Sequence, residues 1–204
     1  MTDCASTPKY WYIIKLMGKE PSHLALECAL QTHPNCVIIS EEATFREQTI
    51  EDLVKNICDI IIKRHNENKN FGTVLIPEGV LLNLQLFKAL IDEINIVIRK
   101  DGCDPHFIKK LLNDDAFLKI HLSPWNVAKF NTLPDFAKIQ LLSKRDVNGN
   151  FNLSAFETEK LFAHLITEEL DKMKAEQKYD GVFIPLTHSF CKEIINPITK
   201  KTKL

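Results

Sequence analysis

Residues 10–23 read YWYIIKLMGKEPSH. The first seven are aromatic, β-branched or aliphatic apart from Lys15, the composition of a short buried strand. Met17-Gly18 ends that run, and Glu20-Pro21-Ser22 opens a helix, where proline is tolerated because its missing N–H has no helical partner in the first turn. Leu24 and Cys28 lie near one stripe of this helix and Ala25 and Ala29 near another, until His33-Pro34-Asn35 stops it. Residues 36–40 (CVIIS) read as a second buried strand. Thr49 caps a helix with Leu53, Ile57, Ile60, Ile61 and Arg64 at helical spacing. After the polar turn 66–70, residues 73–76 (TVLI) form a third strand. Short continuous apolar strands separated by helices are the pattern of a parallel sheet covered on both faces. Its crossovers are right-handed and its ligand site lies at the carboxyl ends of its strands. Two polar segments are placed there: residues 17–23 and the turn Pro77-Glu78-Gly79.

From Leu81 the pattern changes. Residues 82–98 are apolar enough for one helix, and 101–153 contain helical pieces broken by Pro105, Pro124 and Pro134. Ser154-Ala155-Phe156-Glu157 has the spacing of a capping box. The helix after it carries Leu161, Leu165, Phe162, Ile166 and Leu170, and Val182-Phe183-Ile184-Pro185 returns to the sheet. The expected fold is α/β, a parallel sheet flanked by helices with an inserted helical subdomain. The divisions are 1–99 for the α/β unit, 100–179 for the helical insertion and 180–204 for the return strand and tail.

Among 204 residues, 26 Lys and Arg stand against 27 Asp and Glu, for a formal net charge of −1. Nucleic-acid binding needs a concentrated basic face, so that class is excluded. No apolar run approaches the roughly 20 residues that span a bilayer, and residues 1–12 show no secretory h-region. The six cysteines include no CxxC pair, which removes clustered zinc ligands and catalytic dithiols and points to free thiols in the cytoplasm. The loop 146–157 offers oxygen ligands at EF-hand spacing from Asp146, Asn148 and Asn150 to Glu157, but Phe151 occupies the sharp-turn position that requires glycine. Asn/Gly turn chemistry explains the same residues, and no metal site is expected in the chain. The histidines do not cluster; His188 alone follows the last strand, where a ligand would sit.

Of the two rim segments, Gly18 lets backbone approach a ligand, the helix after it offers unpaired N–H groups to an anion, and Lys19 supplies a point charge for a phosphate. Glu78 places an acceptor-only carboxylate at the same edge, suited to sugar hydroxyls. Taken singly, each is equally a routine turn.

Four stretches in order, KLMGKEPSHLALECALQTHPN, EDLVKNICDIIIKRHNENKNFGTVLIPEG, LSPWNVAKF and FETEKLFAHLI, resemble the long form of pyrophosphate-dependent phosphofructokinase. The likeness runs from about residue 10 to 188, and MGxxxSHxALECALQ and KNxGxxLIPEG are its most specific parts. It implies a glycolytic transferase that moves a phosphoryl group from pyrophosphate to the 1-hydroxyl of fructose 6-phosphate with Mg²⁺, by positioning and charge neutralisation. The family's MGR segment and PEG glutamate contact the sugar phosphate; carried over, these are Met17, Gly18, Lys19 and Glu78.

The departures from the family pattern set the expected role. Lys19 replaces arginine, keeping the charge and losing the bidentate fork, a difference on the order of 1–2 kcal/mol at a phosphate. The family's HFFGYQARG corresponds to His188-Ser189-Phe190-Cys191-Lys192-Glu193, without its tyrosine and arginine. The GGDD and TIDND segments, for the diphosphate and the catalytic aspartate, do not occur in these residues; the resemblance places both upstream of Tyr10 in a complete protein. The chain therefore resembles an internal fragment carrying part of the sugar-phosphate side, inactive by itself and without bound Mg²⁺. Its expected partners are fructose 6-phosphate, the remainder of a phosphofructokinase chain or another subunit, and further copies of itself. The alternative is a non-catalytic, regulatory-like module that binds a sugar phosphate or a subunit.

Overall fold

The computed structural model describes residues 9–18, 22–101, 105–146 and 149–189. Four strands, β1 (Trp11–Leu16), β2 (Cys36–Val37), β3 (Gly72–Pro77) and β4 (Pro185–Ser189), form one sheet in the order β2-β3-β1-β4. Every pairing is parallel, with Trp11 beside Gly72, Leu16 beside Pro77 and Trp11 beside Pro185. The expected α/β class holds. Helix α1 (His23–Thr32) joins β1 to β2, α2 (Ser40–Phe45) and α3 (Ile50–Asn66) join β2 to β3, and α10 (Thr158–Ala175) leads into β4. The first connection runs one way across the sheet and the next two run back. Right-handed crossovers then place α1 on one face and α3 with α10 on the other. Packing agrees: α1 lies against β2 and β3, while α10 packs on α3, β1 and β4.

The remaining helices are α4 (Val80–Asn83), α5 (Gln85–Asp101), α6 (Pro105–Asn113), α7 (Asp115–His121), α8 (Pro124–Thr132) and α9 (Asp135–Ser143). The chain divides into two compact units. One comprises the described residues up to Leu84 together with those from Thr158 onward; the other is Gln85–Glu157. The expected insertion, 100–179, differs from this at both ends. Helix α5 packs with α8 and α9 inside the helical unit, whereas α10 covers the sheet and belongs with it. Within the helical unit, Glu93 of α5 fixes the start of α8. Its carboxylate accepts from the Ser123 N–H at 3.0 Å, the Ser123 hydroxyl at 3.1 Å and the Asn126 amide at 2.5 Å, with Pro124 in the first turn.

Several local expectations shift. The single helix 82–98 is two helices, because Leu84 is extended (φ −80°, ψ 110°) and buried. The Ser154–Glu157 spacing does not start α10. Gln140 of α9 donates to the Glu157 carboxylate at 2.6 Å and accepts from its N–H at 3.0 Å, and the helix begins at Thr158. The return strand begins at Pro185, which has no N–H to give a ladder and is tolerated at a strand's first residue, while Ile184 accepts from the Trp11 N–H at 3.0 Å. Gly149 adopts φ 76°, and Asp146 accepts from the Gly149 and Asn150 N–H groups, so this loop is a turn closed by its own aspartate. Asn148, one of the proposed oxygen ligands, lies outside the described residues. Thr49 caps α3 as expected, in a reciprocal box with Asp52.

Cys28, Cys36 and Cys58 are free thiols. Burial, with Glu169 and Asp59 nearby, pushes Cys58 up to about 12, so it behaves as a small core hydrophobe. No helix among the described residues is long and apolar enough to cross a membrane.

Trp11, 1% exposed, is the largest fully buried side chain in the sheet unit, and the Arg64 guanidinium lies 5.9 Å from its ring centroid. Its ring packs over Gly72, where an added Cβ would stand 2.4 Å from Cζ3. With Trp11 enclosed, the ring has no room to yield. Gly72→Ala is expected to cost about 1–3 kcal/mol by overpacking. Thermal unfolding followed by circular dichroism checks it; a melting temperature equal to wild type contradicts this packing.

At the end of α3, the His65 ring nitrogens face the Asn70 Oδ1 at 2.5 Å and the Asp180 Oδ1 at 2.6 Å, with the Tyr179 ring packed at 5.2 Å, near perpendicular. Two oxygen acceptors require both nitrogens to donate, which is the imidazolium. The Asn70 and then the Asp180 hydrogen bond raise His65 above its ordinary 6.5, and the His65 hydrogen bond lowers Asp180 below 3.8. The raised histidine contributes fully below pH 6.5 and loses its contribution as pH rises through its folded value. The depressed aspartate contributes above pH 3.8 and loses its contribution as pH falls through its folded value. The denaturant midpoint of Asp180→Asn should therefore fall furthest below wild type between about pH 4 and 6.5, and the gap should narrow as pH rises through the raised folded value of His65. A gap independent of pH contradicts the clip.

Candidate functional site

Adjacent parallel strands in register deliver their carboxyl ends side by side. Because Leu16 pairs with Pro77, the chain leaves β1 and β3 at the same level, and the two polar turns meet. The Glu78 N–H donates to the Leu16 carbonyl at 2.8 Å, the Gly79 N–H to the Gly18 carbonyl at 3.2 Å, and the Gly18 N–H to the Glu78 Oε2 at 3.2 Å. Gly18 has φ 135°, a conformation L side chains rarely adopt, so glycine is required at this turn. Glu78 is 3% exposed, and its second oxygen, Oε1, has no protein partner. Such a buried acceptor is costly unless a ligand or water supplies a proton to it. Met17 flanks the turn and is 39% exposed. Lys19 lies outside the described residues, as do Phe190, Cys191, Lys192 and Glu193. The structure thus brings together Met17, Gly18 and Glu78.

The helix N-terminus differs from expectation. Ser22, at the cap position of α1, does not cap it: its hydroxyl accepts from the Ser40 N–H at 3.0 Å, and its own N–H donates to the Glu41 carboxylate at 2.7 Å. Burial works to raise the Glu41 carboxyl, but the hydrogen bonds from Ser22 outweigh it and hold the group below its ordinary value. A protein carboxylate therefore already stands beside the start of α1, where an anion was expected. His188 stacks on Tyr12 at 6.1 Å and is exposed near the end of β4.

Beneath the rim lies a buried ion pair that the sequence reading passed over. Lys15 Nζ and Glu159 Oε2 are 3.6 Å apart, with side chains 3% and 7% exposed. Glu159 sits in the first turn of α10, where a carboxylate also suits the helix dipole. Deleting one partner of such a pair leaves a buried charge, typically a loss of about 3–5 kcal/mol. The available signal was Lys15 itself, a charge inside an otherwise apolar strand. Among the described residues, no three His, Cys, Asp or Glu side chains converge as metal ligands.

No family model matches the chain. Among curated proteins, it is 40% identical over 188 residues to the pyrophosphate–fructose 6-phosphate 1-phosphotransferase of Porphyromonas gingivalis, covering 92% of this chain and 34% of that protein. It is 41% identical over 190 residues to subunit alpha 1 of the Arabidopsis thaliana protein of that name (93% and 29%), and 36% identical over 190 residues to subunit beta 2 (93% and 32%). The chain is a homologue of the pyrophosphate-dependent phosphofructokinases. It spans about a third of the length of the curated relatives it matches. The match to each plant subunit type covers 93% of this phosphofructokinase homologue.

Proposed function

We propose that this chain supplies the sugar-phosphate side of a pyrophosphate-dependent phosphofructokinase, a cytoplasmic, glycolytic transferase acting on fructose 6-phosphate. The observation that carries the reading is the convergence of the Gly18 and Glu78 turns around an unpartnered buried carboxylate oxygen. In this reading Glu78 Oε1 accepts a hydrogen bond from a sugar hydroxyl. Gly18, lacking a Cβ, leaves room for the sugar beside its backbone. Lys19, next in sequence, neutralises the 6-phosphate, and Met17 packs on the hexose. Such contacts orient the acceptor hydroxyl; they do no covalent chemistry. We assign the Mg²⁺ of the reaction to the donor side, with the GGDD and TIDND segments that do not occur in these residues.

Lys19 in place of arginine, and His188-Ser189-Phe190-Cys191-Lys192-Glu193 without the family's arginine, favour a second reading, a regulatory-like half that holds the sugar phosphate without reacting it. Both readings expect no turnover from the chain alone with pyrophosphate, fructose 6-phosphate and Mg²⁺. They part once the chain is combined with a partner carrying the missing segments, where only the first gives a contribution that Glu78→Ala removes. Calorimetric titration of the full chain with fructose 6-phosphate tests what they share. Binding weakened at least about tenfold by Glu78→Ala is expected, the scale of one hydrogen bond to a charged group. No heat, or binding indifferent to that substitution, overturns the assignment.

Further copies or another subunit are the proposed macromolecular partners. Helix α1 buries only Ala25 and leaves Leu26 48% and Leu30 65% exposed, an apolar surface suited to association. Sedimentation should show mass rising with concentration; a monomer throughout contradicts this.

A further inference from the structure

We propose that Lys15 is a positioning residue for this rim: its buried ammonium holds Glu78 inward, so that Gly18 keeps its acceptor. Among the described residues, the buried charged side chains are Lys15, Glu78 and Glu159, and all three lie at the carboxyl end of the sheet or the helix start beneath it. Lys15 is the cation among these three. Glu159 contacts it at 3.6 Å. Register places Lys15 beside Ile76, two residues short of Glu78. A nearby positive charge helps keep inside a buried carboxylate that has one oxygen on a backbone N–H and the other without a protein partner, because it offsets the lost hydration. Without that ammonium, the relief open to Glu78 is to turn its carboxylate out to water, which takes the acceptor away from the Gly18 N–H. Glu159 has a different part: it neutralises Lys15 and ties the first turn of α10 to β1, a structural contact that leaves the rim unaffected so long as the cation remains.

This inference rests on the rim's being the sugar-phosphate site for its meaning, but its test needs no ligand. Single-residue amide hydrogen exchange is followed in the full chain. In Lys15→Met/Glu159→Leu, where both charges give way to apolar groups of similar volume, the melting temperature is expected to stay near wild type. The Gly18 amide should nevertheless exchange at least ~10-fold faster, with Ile13 and Ile14 unchanged. Glu159→Leu alone should lower the melting temperature and leave Gly18 exchange slow relative to Ile13 and Ile14. Unchanged Gly18 exchange in the double variant, or acceleration only in step with Ile13 and Ile14, overturns the proposal. Should Lys15→Met/Glu159→Leu not fold, Glu78→Gln, which removes the remaining carboxylate that needs the cation, is expected to restore folding to that double variant; failure to do so counts equally against it. A chain that does not bind fructose 6-phosphate would sink the sugar assignment and leave the exchange result readable.

Discussion

The in-register parallel pairing of β1 with β3 is the constraint on which the rest depends. Six residue pairs, from Trp11 with Gly72 to Leu16 with Pro77, fix where both strands stop. A register slip of one residue would turn Lys15 away from α10 and lift Trp11 off Gly72. The slip would also separate Gly18 from Glu78, which meet only because their strands end level. Packing at one end of the pair therefore protects geometry at the other. Trp11 over Gly72 is a core contact, yet it specifies the register that builds the rim about 16 Å away along the strand, at roughly 3.3 Å per residue.

Much of this was legible in the sequence because strand runs and turn signals are local. YWYIIKL and TVLI are short, apolar and β-branched, and each is followed by glycine within a polar segment, so strand existence, parallel class and rim position could be read directly. What escaped reading depended on distant partners. Glu157 has capping-box spacing to Ser154, but Gln140, 17 residues away, takes both its N–H and its carboxylate. Ser22 has the composition of an N-cap, but Ser40 and Glu41 on a neighbouring helix claim its hydroxyl and its N–H. The division into units failed to follow composition for the same reason: α5 and α10 are both amphipathic, and only their packing partners decide which unit each joins.

The rim itself was half legible. Gly18 and Glu78 announce themselves by residue type after a strand, and the family likeness agrees on both. The Lys15–Glu159 pair does not, because a lysine within a strand reads equally as an edge or solvent-facing position. Here β1 lies between β3 and β4 with a helix over it, so the same lysine must be buried and must find a carboxylate. Strand order, which no single strand encodes, turned an ordinary surface residue into an interior charge.

The reversal of chain direction after β2 explains why polar groups gather at this edge and not at the opposite one. Helix α1 lies on one face and α3 with α10 on the other, and the turns after β1 and β3 meet at this edge, where the Gly18 and Ser22 N–H groups are unclaimed by any sheet ladder. Those groups need acceptors. Glu78 serves Gly18 and Glu41 serves Ser22, each carboxylate standing at the carboxyl edge of the sheet. At the opposite edge the demand does not arise, because Trp11, Gly72 and Thr73 pass their N–H groups to Ile184, Tyr10 and Asn35. The site is thus where the fold leaves its backbone incompletely paired, and an acidic side chain with an acceptor to spare is what that arrangement selects.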